Sequence, residues 1–251
     1  MPGTLPAVSG LNGKIAAFGG GAEDIGVGGV LGSVSFPLET GFGAQLDGMI
    51  GGGDALFYGG GAHLFWRNPS VGLLGVYGSY VGWDYHSTRT ATSPVGGIID
   101  VTGADVGRLG IEAQLYLDNF SLEGRAGYQA GSKQGTFGKA TLAFYPTENL
   151  RFDVSYSDGE ISNSTVSGGI EWMAAPDSGM SLFAIGTIDS DDQRVYAGLK
   201  FYLGGEPKSL VRRHREDDPD NDLPFDLFTI VGNAYCPAGT HDVGGSCDGN
   251  L

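Results

Sequence analysis

Charged side chains recur at alternate positions along this sequence, and their spacing limits the chemistry that they could do. Arg108 and Glu112 alternate with apolar residues, and Glu123 and Arg125 do so again after a two-residue break at 118–119. Successive side chains of an extended chain point to opposite faces, so strict alternation predicts β-strands with one ionic and one apolar face. Two such strands joined by two residues predict a β-hairpin.

The nucleophiles and bases of the sequence show no catalytic arrangement. There is no Gly-x-Ser-x-Gly elbow, and the four histidines occur in unrelated settings. His63 lies on the ionic face of its segment, where a hydrogen-bonded histidine is more common than a general base. The sequence therefore gives little support to a membrane-embedded lipid hydrolase. We expect no enzymatic activity and no cofactor. The 14 Lys and Arg residues are too few and too dispersed to predict a nucleic-acid partner.

Two motifs near the C-terminus could bind metal, and neither fits. Asp218, Asp220 and Asp222 have the spacing of a calcium loop. However, Leu223 stands where that loop requires glycine, and Thr229 stands where it requires glutamate. The two cysteines have no second ligand pair of the kind that holds zinc. We expect no metal site.

Cys236 and Cys247 are the two cysteines, and they bracket a turn-rich segment. A disulfide between them would stabilise this loop by about 2 to 3 kcal/mol and would require an oxidising compartment such as the periplasm. We predict this disulfide, with two free thiols in a cytosolic protein as the alternative.

The elements that must position the charged residues are strands. Glycine makes up 46 of 251 residues, well above the usual ~7%, and small residues let closely curved strands approach each other. The longest strongly apolar, uncharged run, 68–83, is too short for a membrane-spanning helix. Alternation predicts twelve strands near residues 13–21, 27–37, 42–51, 55–66, 71–83, 106–117, 120–130, 136–145, 149–157, 164–174, 180–188 and 194–203. Their length matches the ~9 to 11 residues with which a tilted strand crosses a bilayer.

The connections between these strands alternate between two kinds. Tight turns, four of five containing proline, are predicted at 37–41, 67–70, 118–119, 146–149 and 175–179. The intervening loops are acidic and include one long excursion, 85–104. A barrel built this way has a turn rim and a chemically distinct, acidic loop rim.

Which face of each strand meets water is not decided by alternation alone. A soluble barrel would bury the apolar face, whereas a membrane barrel turns it outward. Strand length, glycine-rich walls and aromatic residues near strand ends favour the outward-apolar arrangement. Ionic and polar side chains are then predicted to line the lumen at Asp47, His63, Arg108, Glu112, Glu123, Arg125, Lys139, Arg151, Asp153, Glu171, Arg194 and Lys200.

The sequence resembles the Gram-negative outer-membrane β-barrel proteins, in particular small porin-like ones, over roughly residues 10–204. The resemblance rests on the alternation, on paired turns and loops, and on a last strand, 195–202, that ends in aromatic residues. It implies an all-β, closed, antiparallel up-and-down transmembrane barrel of about twelve strands in the bacterial outer membrane, in contact with lipid and lipopolysaccharide. In that family the chain usually stops at the final aromatic residue, whereas here 48 residues follow Leu203. No signal peptide is visible in residues 1–13, so we expect either a cytoplasmic chain or a processed, mature form.

These observations predict three regions: an N-terminal segment (1–12), a transmembrane barrel (13–204) and a C-terminal tail with a disulfide-closed loop (205–251). The tail changes from the basic run 208–215 to the acidic run 216–222, which indicates either a solvated linker or an electrostatic contact with a partner, the barrel base or an anionic envelope surface. The predicted function is a narrow channel for small polar solutes, cation-preferring because its outer rim is acidic. The alternative is a non-conducting interaction barrel whose tail binds a periplasmic or other envelope partner.

Overall fold

Twelve antiparallel strands close into one barrel, with the first strand hydrogen-bonded to the last. The structure is a computed structural model that describes residues 6–22, 25–53, 55–91, 97–132, 134–159, 164–189, 193–224, 241–242 and 247–248. Every neighbouring pair of strands is consecutive in the chain apart from the closing pair, so the topology is up-and-down. The predicted fold class is confirmed.

The strands are longer than the five or six residues usual in soluble sheets. They are β1 (Asn12–Ala22), β2 (Ile25–Glu39), β3 (Phe42–Gly52), β4 (Leu56–Asn68), β5 (Gly72–Ala91), β6 (Gly97–Leu117), β7 (Phe120–Gly131), β8 (Gly135–Thr147), β9 (Leu150–Gly159), β10 (Thr165–Ala175), β11 (Met180–Ile188) and β12 (Gln193–Leu203). A short 3₁₀ turn (Pro176–Ser178) joins β10 to β11. Beyond the barrel lie helix α1 (Leu210–Glu216) and two two-residue strands, β13 (His241–Asp242) and β14 (Cys247–Asp248).

The prediction of a long loop at 85–104 is wrong, because the described backbone of this stretch belongs to two strands. Strands β5 and β6 continue through it as a paired hairpin extension, from His86 opposite Thr102 to Ala91 opposite Gly97, after a register shift beyond Trp83. Asp84, Asp100 and Asp105 placed this stretch among the acidic loops, but its sequence is also rich in Thr, Val and Ile, which favour strands.

The outer surface of the barrel is apolar. Exposed Leu, Ile, Val and aromatic side chains cover every strand, among them Leu109 (71% exposed) and Ile111 (60%). Six large aromatic residues form an exposed girdle near the turn rim, namely Phe42, Trp66, Phe120, Phe144, Trp172 and Phe201. In water this surface would be strongly unfavourable, whereas a lipid bilayer is the solvent that suits it. No described helix is long and apolar enough to span a bilayer.

The interior of the barrel has a polar layer and an apolar layer, and the alternation pattern predicted only the polar layer. The half nearer the turn rim is polar and ionic. The half nearer the loop rim contains a cluster of buried hydrophobic side chains that includes Phe18, Phe57, Val81 and Trp83. Segments of β4 and β5 are thus apolar on both faces, which pattern analysis cannot distinguish from a strand buried on both sides.

The chain that follows β12 turns back into the barrel. Helix α1 lies at the turn rim, where Arg215 donates to the carbonyl oxygens of Asp118 and Phe120, and the Val211 N–H donates to that of Glu148. Residues 217–222 then run inside the lumen without regular structure, and Leu223 reaches the inner hydrophobic cluster. Of the two interpretations of the tail, the contact with the barrel describes residues 208–224.

The N-terminal residues join the same base. Ala7 and Val8 are fully buried against Phe65 and Leu73, and the Ser9 N–H donates to the carbonyl oxygen of Glu216 in α1. The predicted Cys236–Cys247 disulfide gains no support from the structure, because Cys236 and the side chain of Cys247 lie outside the described residues. It stays a prediction.

Candidate functional site

Three basic side chains on three adjacent strands face the lumen together. Arg125 on β7 stands directly opposite Lys139 on β8, and Arg151 on β9 lies nearer the turn rim. They face inward because their neighbours in sequence, such as Leu122, Ala140 and Phe152, occupy the outward positions of the same strands. Like charges directly opposite each other destabilise a sheet unless a counter-charge intervenes.

The counter-charges come from the tail. The carboxylate of Asp222 accepts from Arg125 Nη1 through Oδ2 (2.7 Å) and from Lys139 Nζ through Oδ1 (3.0 Å). The carboxylate of Asp220 lies 3.1 Å from Arg151 Nη1, and its backbone carbonyl accepts from Arg125 Nη2 (2.6 Å). We call Arg125, Lys139 and Arg151 the basic triad. Two counter-charges of the triad thus come from a segment of the chain that is not part of the wall.

The opposite side of the wall holds the tail by hydrogen bonds that are not ion pairs. Lys14 Nζ and Gln45 Nε2 both donate to the carbonyl oxygen of Pro219 (2.7 and 3.1 Å). Asn221 Nδ2 donates to Ser33 Oγ (3.2 Å), and Ser35 donates to the Asp218 carboxylate. Contacts from β1, β2 and β3 therefore oppose those from β7, β8 and β9, so the tail crosses the middle of the lumen.

A second ionic cluster centres on His63. Its Nδ1 lies 2.9 Å from Glu112 Oε1 and its Nε2 lies 2.9 Å from Asp47 Oδ2. Because a carboxylate can only accept, both ring nitrogens donate, as in an imidazolium. Glu112 also meets Arg125 Nη2 at 3.3 Å, which links this cluster to the basic triad.

A third cluster joins the wall to helix α1. Glu171 accepts from Lys200 Nζ (2.6 Å), Ser181 Oγ (2.6 Å) and the Tyr202 hydroxyl (2.9 Å). The Tyr202 hydroxyl is also 2.8 Å from His214 Nε2, and the Tyr145 hydroxyl is 3.0 Å from His214 Nδ1. This cluster fixes α1 across the turn rim.

The electrostatics of the tail follow from its burial. Burial alone would raise the pKa of Asp222, but Arg125 and Lys139 lower it below its ordinary value. Burial opposes the ionisation of Asp220 in the same way, and Arg151 nevertheless lowers its pKa well below the usual range. Burial lowers the pKa of His214 to about 3, in spite of the nearby Glu171 carboxylate. The docked tail therefore contains ionised aspartates and a neutral histidine.

A cavity of about 130 Å³ remains between the tail and the wall. Its lining includes the basic triad together with Lys14 and Lys200, and on the tail side Asp220, Asn221 and Asp222. Phe183, Ile185 and Tyr196 line it towards the inner hydrophobic cluster. The cavity is large enough for water or for a small polar solute.

The structure places all twelve residues expected to line the lumen on the inner side of the wall. Besides those described above, Glu123 lies 3.4 Å from Arg151, and Asp153 lies 3.4 Å from the same guanidinium. Arg194 pairs with Asp189 (3.0 Å) nearer the loop rim, and Arg108 lies over the Phe137 ring and donates to Gln129.

Sequence reasoning missed two inward bases and the partner of the triad. Lys14 and Arg67 are almost fully buried, and alternation within β1 and β4 could have identified both. The acidic run 217–222 was noted, but its position in the lumen was not predicted. A signal was available in its charge, because its four aspartates complement an inner wall whose bases outnumber its acids.

The fold matches known bacterial membrane barrels. Over 76% of this chain and 99% of the other, the structure resembles KdgM porin (TM-score 0.57, 11% identity). It also resembles the translocator domain of the autotransporter NalP from Neisseria meningitidis (TM-score 0.56, 10% identity, 78% and 88% covered). A third likeness is to the COG4313 outer membrane channel from Pseudomonas putida F1 (TM-score 0.51, 8% identity, 81% and 99% covered). No family model and no curated protein sequence matches this chain.

These likenesses show the fold, which is that of the outer-membrane β-barrels, as the sequence predicted.

Proposed function

We propose that the protein is a bacterial outer-membrane channel for small polar solutes, and that its own tail, residues 208–224, narrows the path. The observation that carries this proposal is the polar half of the lumen, which is occupied by a separate segment instead of by wall side chains. We propose no enzymatic role. Lipid and lipopolysaccharide would surround the apolar wall.

The energetics of buried charge support a lumen that opens. Paired buried charges cost several kcal/mol of desolvation each, and apolar side chains of similar volume usually fill the same space with less penalty. A permanently closed barrel therefore has little need of a basic triad. A wall that meets water and solute when the tail leaves does need polar side chains at these positions.

The charge of the docked lumen is close to balanced. The described inner wall carries nine positive groups, Lys14, Arg67, Arg108, Arg125, Lys139, Arg151, Arg194, Lys200 and the His63 imidazolium, against six acids, Asp47, Glu112, Glu123, Asp153, Glu171 and Asp189. Asp218, Asp220 and Asp222 of the tail offset this excess, whereas Asp217 pairs with Lys208 and Arg213 of the tail itself. For the docked form we keep the cation preference predicted from the acidic loops, since those loops are then the largest uncompensated charge.

Planar-bilayer recording of the purified full-length protein tests this function. We expect small conductance steps that become larger when Asp220→Asn and Asp222→Asn weaken docking of the tail. Asp177→Asn with Glu206→Gln, which removes the same charge at exposed positions, is the matched control and should leave the steps unchanged. An absence of steps from both wild type and the lumen variant would contradict the channel, and a clear anion preference of the wild type would contradict its predicted selectivity.

The inner hydrophobic cluster favours a second candidate, a non-conducting barrel. Phe57, Val81 and Leu223 are buried in this cluster, which adds a second obstruction nearer the loop rim. In this alternative the tail beyond residue 224 would bind an envelope partner. Recovery of a partner by the full-length chain, together with zero conductance in every variant, would support it over the channel.

A further inference from the structure

The basic triad is shared between carboxylates of the wall and carboxylates of the tail. Arg125 and Lys139 are cross-strand partners, so their charges repel at close range. Glu112 meets one edge of Arg125 (3.3 Å), and Arg151 shares Glu123 and Asp153 at 3.4 Å. The shortest ion pairs that Arg125 and Arg151 make are instead with the tail, at 2.7 and 3.1 Å.

The tail presents its carboxylates to the triad as a ligand would. Asp222 binds the Arg125 guanidinium with one carboxylate oxygen and the Lys139 ammonium with the other. Asp220, two residues earlier in the tail, binds the Arg151 guanidinium. Such charge-assisted hydrogen bonds are the strong class, and arginine forks suit carboxylates in particular. The two aspartate side chains stand in for two linked carboxylates.

The adjoining cavity extends the same chemistry. Its volume of about 130 Å³ lies beside the triad, and Lys14 and Lys200 add two further ammonium groups to its lining. A solute that displaced Asp220 and Asp222 would therefore meet five cations around one space, together with the wall carboxylates Glu112, Glu123, Asp153 and Glu171. With the tail released, the described inner wall has an excess of three positive charges, since nine positive groups, the His63 imidazolium included, face six acids.

We propose that Arg125, Lys139 and Arg151 form a lumen site for small solutes that carry two or more carboxylates, and that Asp220 and Asp222 occupy it as an internal ligand. This proposal rests on the channel function and names the solute class of the form whose tail has left the site, whereas the docked form keeps its cation preference. A tethered ligand acts at an effective concentration in the millimolar range or above. A free dicarboxylate therefore binds the wild-type protein weakly, and binding strengthens when the internal carboxylates are removed.

Isothermal titration of full-length protein in detergent with succinate tests the site without requiring conduction. Asp220→Asn/Asp222→Asn should bind succinate at least ten-fold more tightly than wild type or the Asp177→Asn/Glu206→Gln control. Acetate, with one carboxylate, should bind several-fold more weakly than succinate, and uncharged succinamide should not bind. Adding Lys139→Gln to the double variant should abolish the gain, whereas adding Arg108→Gln, a lumen base outside the triad, should retain it.

Each outcome has a definite meaning. Equal succinate binding by the double variant and wild type, or none by a double variant that still shifts on heating in gels, would overturn the site. Asp222→Asn alone provides a milder variant in which a smaller gain is expected, should the double variant fail to fold. Conductance without succinate binding would leave the channel standing and remove the site, whereas binding without conductance would do the reverse.

Discussion

At the scale of single residues, the buried His214 of helix α1 couples docking of the tail to pH. Burial disfavours the protonated ring of His214 more than the Glu171 carboxylate favours it, and the pKa of His214 is therefore lowered to about 3. The groups that face it are Tyr145, Glu171, Tyr202, Arg151, Lys200 and Asp220. Its docked state therefore requires the neutral ring, and docking is coupled to pH.

Acidification should release the tail. Docking lowers the pKa of His214 from its ordinary 6.5 to about 3, so its contribution to docking is complete above 6.5 and declines as the pH falls towards 3. The loss amounts to about 1.4 kcal/mol per pH unit in that window. Asp220 and Asp222, whose pKa values are lowered, lose their contributions only below their ordinary value of 3.8.

The measurement is channel conductance between pH 7.5 and 5. We expect a rise at the lower pH for wild type and a much flatter profile for His214→Gln, which keeps hydrogen-bonding groups but does not titrate. A rise of equal size in both proteins would contradict the role of His214.

The sequence predicted which residues of the wall face the lumen, but it did not predict their partners in the tail. The twelve predicted lumen residues follow from period-two alternation, because a strand leaves its side chains only two directions. The partner of Arg125 did not follow, since Asp222 is 97 positions away and lies in a segment without periodicity. Contacts between a wall and an irregular segment depend on three-dimensional closure that a local pattern does not encode.

At the scale of elements, glycine sets how closely strands approach inside the barrel. Gly110 on β6 stands opposite Gly127 on β7, and both lie on the inner face. A Cβ at Gly127 would overlap the carbonyl oxygen of Leu109 and the Cα of Gly110. This pair therefore allows the strong local curvature that closure of a barrel requires.

Gly127→Ala should destabilise the barrel by about 1 to 3 kcal/mol, the usual cost of an added buried methyl group in a close-packed region. The matched control is Gly124→Ala on the same strand, where the nearest atom to a new Cβ is the Lys139 carbonyl oxygen at 3.8 Å. Urea unfolding of both variants in lipid vesicles is the test. Equal midpoints would show that the close approach has no energetic importance.

Helix α1 adds one buried apolar residue, Leu210, to its hydrogen bonds with the turn rim. Leu210 is fully buried against Met173 and Tyr202, whereas its neighbour Val211 is half-buried. Leu210→Ala should weaken docking by about 2 to 5 kcal/mol and raise the conductance of the channel. Val211→Ala should have a smaller effect, because the backbone bond from Val211 to Glu148 is retained. If both variants conducted like wild type, α1 would not control the path.

At the scale of the whole molecule, the apolar exterior and the ionic interior are two faces of the same strands. The outward rows could be predicted from the sequence, and so could the strand count, because each ribbon is long and strongly periodic. The inner hydrophobic cluster could not, since Phe57 and Trp83 lie in strands that are apolar on both faces. The β5–β6 extension was missed because Asp84, Asp100 and Asp105 placed this connection among the acidic loops.

Contact of the outer wall with hydrocarbon predicts a position-dependent cost of charge. Ile111→Arg, in the apolar band of β6, should lower the folded fraction in lipid vesicles by about 2 to 4 kcal/mol, whereas Leu38→Arg at the turn rim should cost about 0 to 1. Heat-modifiability on gels reports the folded fraction. Equal, small costs at both positions would indicate that Ile111 does not face lipid.

The central claim is that the tail crosses the lumen and fills it, and a cross-link measures this most directly. Ser33→Cys and Asn221→Cys, introduced together with Cys236→Ser and Cys247→Ser, place two thiols where Asn221 Nδ2 and Ser33 Oγ are 3.2 Å apart. Ser178→Cys, exposed in the 3₁₀ turn, replaces the Ser33 thiol in the control pair.

A short thiol-specific bifunctional reagent, applied to the folded protein in membranes, should join residues 33 and 221 within one chain and leave the control pair unjoined. In a bilayer, the joined barrel should conduct less than the same variant without reagent. A folded barrel in which residues 33 and 221 stay unjoined, or join no faster than the control pair, would contradict the account.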